Sequence, residues 1–478
     1  MQGRTLQQIQ SALRAGELTL KEIVQYYLQR IEQTRDLNIY VETWGVKAVE
    51  RAESLQSKIN NHTEDFPRLL GAVISIKDVI CYKNHKVTAA SKILSGFTSQ
   101  FTATAVQKAL DEGAIIIGRT NCDEFAMGST NEHSAYGPTR HGSHPDHVPG
   151  GSSGAAAVSV QMDTCLIALG SDTGGSVRQP AAYCGVYGLK PTYGRISRYG
   201  LIAYGSSFDQ IGILAKSAAD ISLTLAVVQG YDAMDSTSSD RSLYQHQLNP
   251  PSTTHLRIAY LEEVMNHPGL GQGIRESTRS VMDSLRLQGH HVEAVSFDLL
   301  DYLVPTYYVL TTAEASSNLS RYDGIRYGNR TDLATDIDTL YTKTRSEGFG
   351  LEAKRRIMMG TFVLSVGYFD AYFTKAQQVR RLIIDKVDQI LSSYDVIVTP
   401  TTTTVAPELG ASVQDPVAMY LSDVFTVIAN LCGLPALSMP LAVEGTDLTS
   451  GIQFMSSAFR ENILFDLQGY VAASGVNP

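Results

Sequence analysis

Three short segments carry residue types that together can activate a weak nucleophile. In Ile74-Ser-Ile-Lys77-Asp-Val-Ile80 a lysine interrupts an apolar run at the end of an expected strand. Burying a lysine is costly unless it is paired or neutral. Burial also lowers the ammonium pKa, so such a lysine can act as a base or proton relay. The alternative is a lysine that reaches water at the sheet edge. In Pro149-Gly-Gly-Ser152-Ser153-Gly-Ala-Ala-Ala157, small residues permit a tight turn and close approach to a ligand. Its serines can be nucleophiles, proton relays, or the N-cap of the Ala-rich run that follows. In Gly170-Ser-Asp-Thr173-Gly-Gly-Ser176-Val-Arg178-Gln-Pro180, a Gly-Gly turn follows a strand. Such a turn can aim several N–H groups at one spot, as an oxyanion requires, with Ser176 beside them. The alternatives are a turn with a solvated serine or an anion-binding nest. No G-x-x-x-x-G-K-[ST] pattern supports phosphate binding.

Strands and helices must hold these segments. Capping boxes at Thr5-x-x-Gln8 and Thr19-x-x-Glu22 start helices in residues 1–60, and Gly16 ends the first. Strand-like runs follow at Ala72–Ile76, Ala114–Ile117 and Cys165–Leu169, with a helical pattern over Ala103–Asp111. This alternation predicts an α/β fold. Residues 121–213 are rich in Gly, Ser, Thr and Pro and read as ordered functional loops. Residues 232–255 read as a surface connection. Further strands are expected at 257–261, 291–297, Val396–Thr399, Ala436–Met439 and Gly451–Met455. Helices are expected near 272–289, through much of 298–393, and over 417–431.

Composition narrows the function. The chain has 478 residues, 43% of them apolar, enough to bury a large core. Its 39 Lys and Arg against 48 Asp and Glu give a net charge of -9. Without a basic block, it is a poor direct partner for nucleic acid or an anionic membrane. Five scattered cysteines without a C-x-x-C pair fit a reducing compartment. No signal peptide or membrane span is evident, which predicts a soluble, cytoplasmic protein. His141-Gly-Ser-His144-Pro-Asp-His147 has the look of a metal cluster, but is read as structural or surface.

Taken together, Lys77, Ser152 and Ser176 in these contexts resemble the amidase-signature family. The likeness runs through essentially the whole chain. Lys77 and Ser152 lie 75 residues apart, and Ser152 and Ser176 lie 24 apart, which suits the family. The resemblance implies one amidase-signature domain over 1–478, with a catalytic core at 71–213. Sheet and substrate-pocket helices would fill 256–478, and a single mixed sheet would carry helices on both faces. It implies a Ser-cisSer-Lys triad. Ser176 attacks an amide carbon, Ser152 bridges, and neutral Lys77 takes the proton. Backbone N–H groups of Thr173, Gly174, Gly175 and Ser176 hold the oxyanion. Asp172 and Arg178 support the site. No metal or cofactor is implied in this chain. There is one departure: the family usually has Ser-Ser-Gly-Gly where this chain has Ser152-Ser153-Gly154-Ala155. A methyl there clashes if the backbone needs positive φ, and is harmless at a helix start. The family also commonly places a Trp near 141–147, which this chain lacks.

Other segments look like one branch of that family, the glutaminase subunits of aminoacyl-tRNA amidotransferases. They are Asp123–Gly128, Glu314–Gly328, Glu352-Ala-Lys-Arg-Arg356-Ile-Met-Met-Gly-Thr-Phe and Tyr420-Leu-Ser-Asp423-Val-Phe-Thr. The resemblance assigns Arg356 to the glutamine carboxylate, Asp423 to its ammonium, and Tyr307 to the pocket lining. Without it, both charges read as solvated helix residues. It implies a heterotrimer with B and C subunits, with ATP and Mg on a partner, which also makes the main tRNA contacts. One alternative is a stand-alone amidase acting on another carboxamide. Another is an α/β-hydrolase, since Gly150–Gly154 matches G-x-S-x-G. That pattern should follow a strand, and His-Pro-Asp-His-Val-Pro precedes it here. A catalytically dead scaffold is the non-enzymatic alternative.

Overall fold

The computed structural model describes residues 1–61, 66–239, 255–411 and 416–472. Eleven strands among them join one mixed sheet. In chain order they are β1 Tyr40–Thr43, β2 Val73–Lys77, β3 Ile115–Thr120, β4 Ile167–Asp172, β5 Tyr187–Lys190 and β6 Gln210–Ala215. Then come β7 Arg257–Leu261, β8 His291–Val295, β9 Val396–Pro400, β10 Ala436–Ala442 and β11 Thr449–Ser456. Their spatial order is β1-β3-β2-β4-β6-β5-β10-β11-β9-β7-β8. Alternate residues of a strand face opposite sides of the sheet. Strands β2, β3, β4, β6 and β9 are buried at every position, so helices cover both faces.

Three strands were not expected. The tetrapeptides β1 and β5 are too short to show periodicity. The third, β6, lies inside the Gly- and Ser-rich stretch read as loops. It is nonetheless a fully buried strand, paired antiparallel to both β4 and β5. The expected helix over 417–431 is two pieces, Pro416–Leu421 and Val427–Leu431, with a turn between. Both N-terminal capping boxes are formed. The first helix stops at Arg14, and Gly16 takes a left-handed φ of 71°. Residues 240–254 of the expected surface connection lie outside the described residues. The preceding part is tethered: Ser197 donates to Asp232 at 2.6 Å, and the Arg198 amide donates to Asp235 at 2.8 Å.

What positions the site is the pairing of β2 with β4. They run parallel, with Ile74 opposite Ile167 and Ile76 opposite Leu169. Parallel neighbours end at the same edge of a sheet. Lys77, last in β2, therefore emerges beside the turn that follows Asp172, last in β4. The buried helix Gly154–Gln161 packs on both strands and brings its N-terminal loop to the same edge.

Candidate active site

Lys77 is completely buried. Its ammonium does not reach the sheet edge. It donates to Ser152 Oγ at 2.7 Å, Ser153 Oγ at 2.9 Å and Ser171 Oγ at 2.9 Å. Among the described residues it has no ion-pair partner within 4.0 Å. Burial pushes its pKa down to about 8. Three hydroxyls thus replace its hydration shell without neutralising it, which leaves a sizeable neutral fraction near physiological pH.

The Ser152 loop is fixed from several sides. The Gly151–Ser152 peptide is cis. The Gly151 amide donates to Gln179 at 2.9 Å, and a side chain at Gly151 would collide with Asp123. Asp123 in turn accepts the amides of Asn131 at 2.9 Å and His133 at 3.0 Å. Ser153 stands at the N-cap position of the Ala-rich helix, but its own side chain does not cap that helix. Its hydroxyl serves Lys77 and donates to the Ser171 carbonyl at 3.0 Å. Ala155 sits in the first turn of the helix at negative φ, with its amide donating to Asn131 Oδ1 at 2.9 Å. The methyl group therefore meets no backbone conflict.

Ser176 is 8% exposed, the one slightly open member of the trio. Its carbonyl accepts the Ser153 amide at 3.0 Å, which joins the two serine loops. The Ser176 hydroxyl makes no hydrogen bond within 3.5 Å among the described residues, so its link to Ser152 is open here. The turn before it is built by Asp172. That carboxylate accepts the amides of Gly175 at 2.9 Å and Val177 at 3.2 Å, and both forks of Arg178 at 3.0 Å. Asn430 donates to it as well, at 2.9 Å. Burial alone would raise the Asp172 pKa; the Arg178 guanidinium outweighs it and holds it at about 2. Gly175 has φ +129°, and a side chain there would strike Thr426. With the Gly175 amide given to Asp172, the amides of Thr173, Gly174 and Ser176 are the donors left in this turn.

Arg356 and Asp423 are both buried, not solvated. Arg356 lies between the rings of Tyr204, Tyr308 and Tyr420, at 5.5, 5.3 and 5.8 Å from its guanidinium carbon. Asp423, in the turn between the two short helices, accepts from Ser129 Oγ at 2.8 Å and Tyr308 OH at 3.2 Å. Burial pushes its pKa up to about 7. Tyr307 packs against the nucleophile turn, since a Cβ on Gly174 would meet its hydroxyl. Two cavities of about 340 Å³ flank this constellation. One is bordered by Glu124, His133 and Glu352, the other by Ser129, Gln179 and Ser422.

The sequence does not single out Tyr308, Ser129, Tyr204 or Ser171 as site residues, and it leaves open which role Ser153 takes. Tyr308 neighbours Tyr307, and Ser129 follows the segment Asp123–Gly128, so both lay one residue from a recognised signal. The histidine cluster is structural at its core. His141 spends one ring nitrogen on the Tyr183 carbonyl at 2.9 Å and the other on the His144 amide at 3.1 Å. No group of three or more His, Cys, Asp or Glu among the described residues is arranged to hold a metal ion. No helix among them is long and apolar enough to cross a membrane.

The family described as Amidase matches residues 22–465. The A subunit of glutamyl-tRNA(Gln) amidotransferase from Chlorobium phaeobacteroides (strain BS1) is 45% identical over 463 residues, 96% of this chain and 97% of that protein. The crystal structure of the A subunit of glutamyl-tRNA(Gln) amidotransferase from Thermotoga maritima superposes with a TM-score of 0.74 at 36% identity, covering 94% and 92% of the two chains. The native peptide amidase from Stenotrophomonas maltophilia shares the architecture, with a TM-score of 0.82 at 26% identity over 100% and 98%. With the family match over residues 22–465 and a relative 45% identical along nearly the full chain, this protein belongs to the amidase family.

Proposed function

We propose that this chain is the glutaminase subunit of an aminoacyl-tRNA amidotransferase. Ser176 attacks the side-chain amide carbon of glutamine. Its proton passes to Ser152, whose own proton passes to neutral Lys77. The tetrahedral oxyanion rests on the amides of Thr173, Gly174 and Ser176, while the Gly175 amide holds the turn through Asp172. Lys77 returns the proton through Ser152 to the departing nitrogen, and ammonia leaves. Water then attacks the glutamyl ester on Ser176 by the same relay, releasing glutamate. Catalytic hydrogen bonds often close only with substrate bound.

The observation that carries the glutamine assignment is the burial of Arg356 and Asp423 at the two ends of Tyr308, with the Asp423 turn tied to the Gly174 carbonyl through Thr426. A free amino acid presents a carboxylate and an ammonium, and these two side chains match them, with Tyr307 lining the path to Ser176. The relatives named for glutamyl-tRNA(Gln) amidotransferase support the same assignment. In this reading the chain works in a heterotrimer with B and C subunits. It releases ammonia to a partner that activates tRNA-bound glutamate with ATP and Mg. The net charge of -9 fits this division, with the basic tRNA surface on a partner. Residues 1–478 would form one amidase-signature domain, supported by the single continuous sheet.

The test is transamidation by the assembled complex. Ser176→Ala should abolish the glutamine-dependent reaction and spare the reaction with added ammonia. Robust glutamine hydrolysis by the isolated chain, indifferent to partners, would favour a stand-alone amidase.

A further inference from the structure

Glu352 and Arg356 lie four residues apart on the helix Leu351–Val363, hence on one face. Both point inward, each 2% exposed. Glu352 Oε1 accepts the Arg356 Nε–H at 2.8 Å and the Tyr420 hydroxyl at 3.0 Å. Arg356 Nη1 donates to the Tyr204 hydroxyl at 2.8 Å, and that hydroxyl donates onward to Thr311 at 3.1 Å. A guanidinium has five N–H donors in a rigid plane. Two are taken, one on Nε and one on Nη1. Three remain, one on Nη1 and two on Nη2. A carboxylate can engage Arg side-on, through Nε and Nη, or end-on, through both Nη atoms. Here the side-on approach through Nε is closed.

We infer that Glu352 is a positioning residue: by accepting the Nε–H it locks the Arg356 guanidinium and directs an incoming α-carboxylate to its Nη1–Nη2 end. This rests on the glutamine reading above and adds to it the orientation of the substrate. The ring stack of Tyr204, Tyr308 and Tyr420 limits tilting but does not fix rotation within the guanidinium plane, because a ring face has no directional acceptor. Only hydrogen bonds to Glu352 and Tyr204 set that angle. Glu352 suits the role, because it is held ionised. Burial opposes its charge, but the Arg356 guanidinium outweighs burial and keeps its pKa below the usual range. Tyr308 then links the Arg356 end of the pocket to Asp423, through its ring at one end and its hydroxyl at the other.

The experiment compares glutamine with 4-aminobutanamide, which is glutamine without its α-carboxylate, using the assembled amidotransferase. Glu352→Ala should lower kcat/KM for glutamine about tenfold or more, mainly through KM, while kcat/KM for 4-aminobutanamide stays within about twofold. Glu352→Gln keeps an acceptor oxygen and should stay within about threefold of wild type for both substrates. Tyr420→Phe removes one donor to the same oxygen and should give a smaller rise in KM for glutamine alone. If Glu352→Ala does not fold, these two variants carry the test. Equal losses for both substrates, no loss for either, or a Gln variant as impaired as the Ala variant would overturn the positioning role. A wild-type complex that does not prefer glutamine to 4-aminobutanamide would instead overturn the glutamine reading beneath it.

Discussion

Lys77 donates to the Ser152 hydroxyl at 2.7 Å with no counter-ion within 4.0 Å among the described residues. An ion-paired lysine would be held charged, and so useless as a base. This one is destabilised as a cation by burial and surrounded by groups that can either accept or give a proton. In the proposed reaction the two residues act as a proton relay, one at a strand end and one in a loop fixed against it.

The pKa of about 8 sets the pH profile. Lys77 must be neutral to accept a proton, so acylation by glutamine at saturation should rise with pH and level above about 8. Lys77→Met should lower that rate by about 10²–10⁴-fold and remove the pH limb. Stopped acylation assays across pH 6–10 (roughly the span of the titration) check both.

Asp423 adds a separate limb. Its carboxyl, raised to about 7, must ionise to meet the substrate ammonium. KM for glutamine should therefore fall as pH rises through about 7, while the lysine limb appears in kcat. Asp423→Asn should raise KM and erase the lower limb. A KM unaffected by pH between 6 and 8, roughly one unit either side of that pKa, would count against the ammonium contact.

The turn makes demands on Gly175 that it does not make on Ala155. Gly175→Ala, at φ +129° and against Thr426, should reduce kcat by on the order of 10²-fold. Ala155→Gly should leave kcat unchanged and cost about 1 kcal/mol of stability, as a glycine inside a helix does. Steady-state kinetics with thermal melting separates the two outcomes.

Asp172 is the structural centre of the turn. Asp172→Ala leaves Arg178 buried without its partner and should destabilise the protein by about 3–5 kcal/mol near pH 7. The folded pKa of about 2 lies below the ordinary 3.8, so this carboxylate contributes stability above 3.8. That contribution is lost as pH falls through about 2. The gap between wild type and variant in urea unfolding should narrow over the same range.

Much of this was legible in the residues. The end of β2 at Lys77 follows from an apolar run that stops there, and the run Cys165–Leu169 marks β4, although that strand starts at Ile167 and continues through Gly170 and Ser171 to Asp172. Gly150, Gly151, Gly174 and Gly175 mark where the backbone must turn or approach closely. What was not legible depends on contacts far apart in sequence. Strand β6 is recognisable only through its neighbours β4 and β5, because Gly212 and the flanking loops mask its period. Tyr308 meets Asp423 across 115 residues, and Ser129 meets it across 294. Neither pairing leaves a local pattern. The break between Leu421 and Val427 is set by burial of Asp423, which helical periodicity cannot anticipate.

The most direct measurement is to mix the assembled complex with glutamine, quench within a turnover, and map the acyl adduct by mass spectrometry. The account predicts a glutamyl ester on Ser176, abolished by Ser176→Ala and strongly reduced by Lys77→Met. An ester on Ser152 or Ser153, a thioester on a cysteine, or ammonia release that survives Ser176→Ala would contradict it.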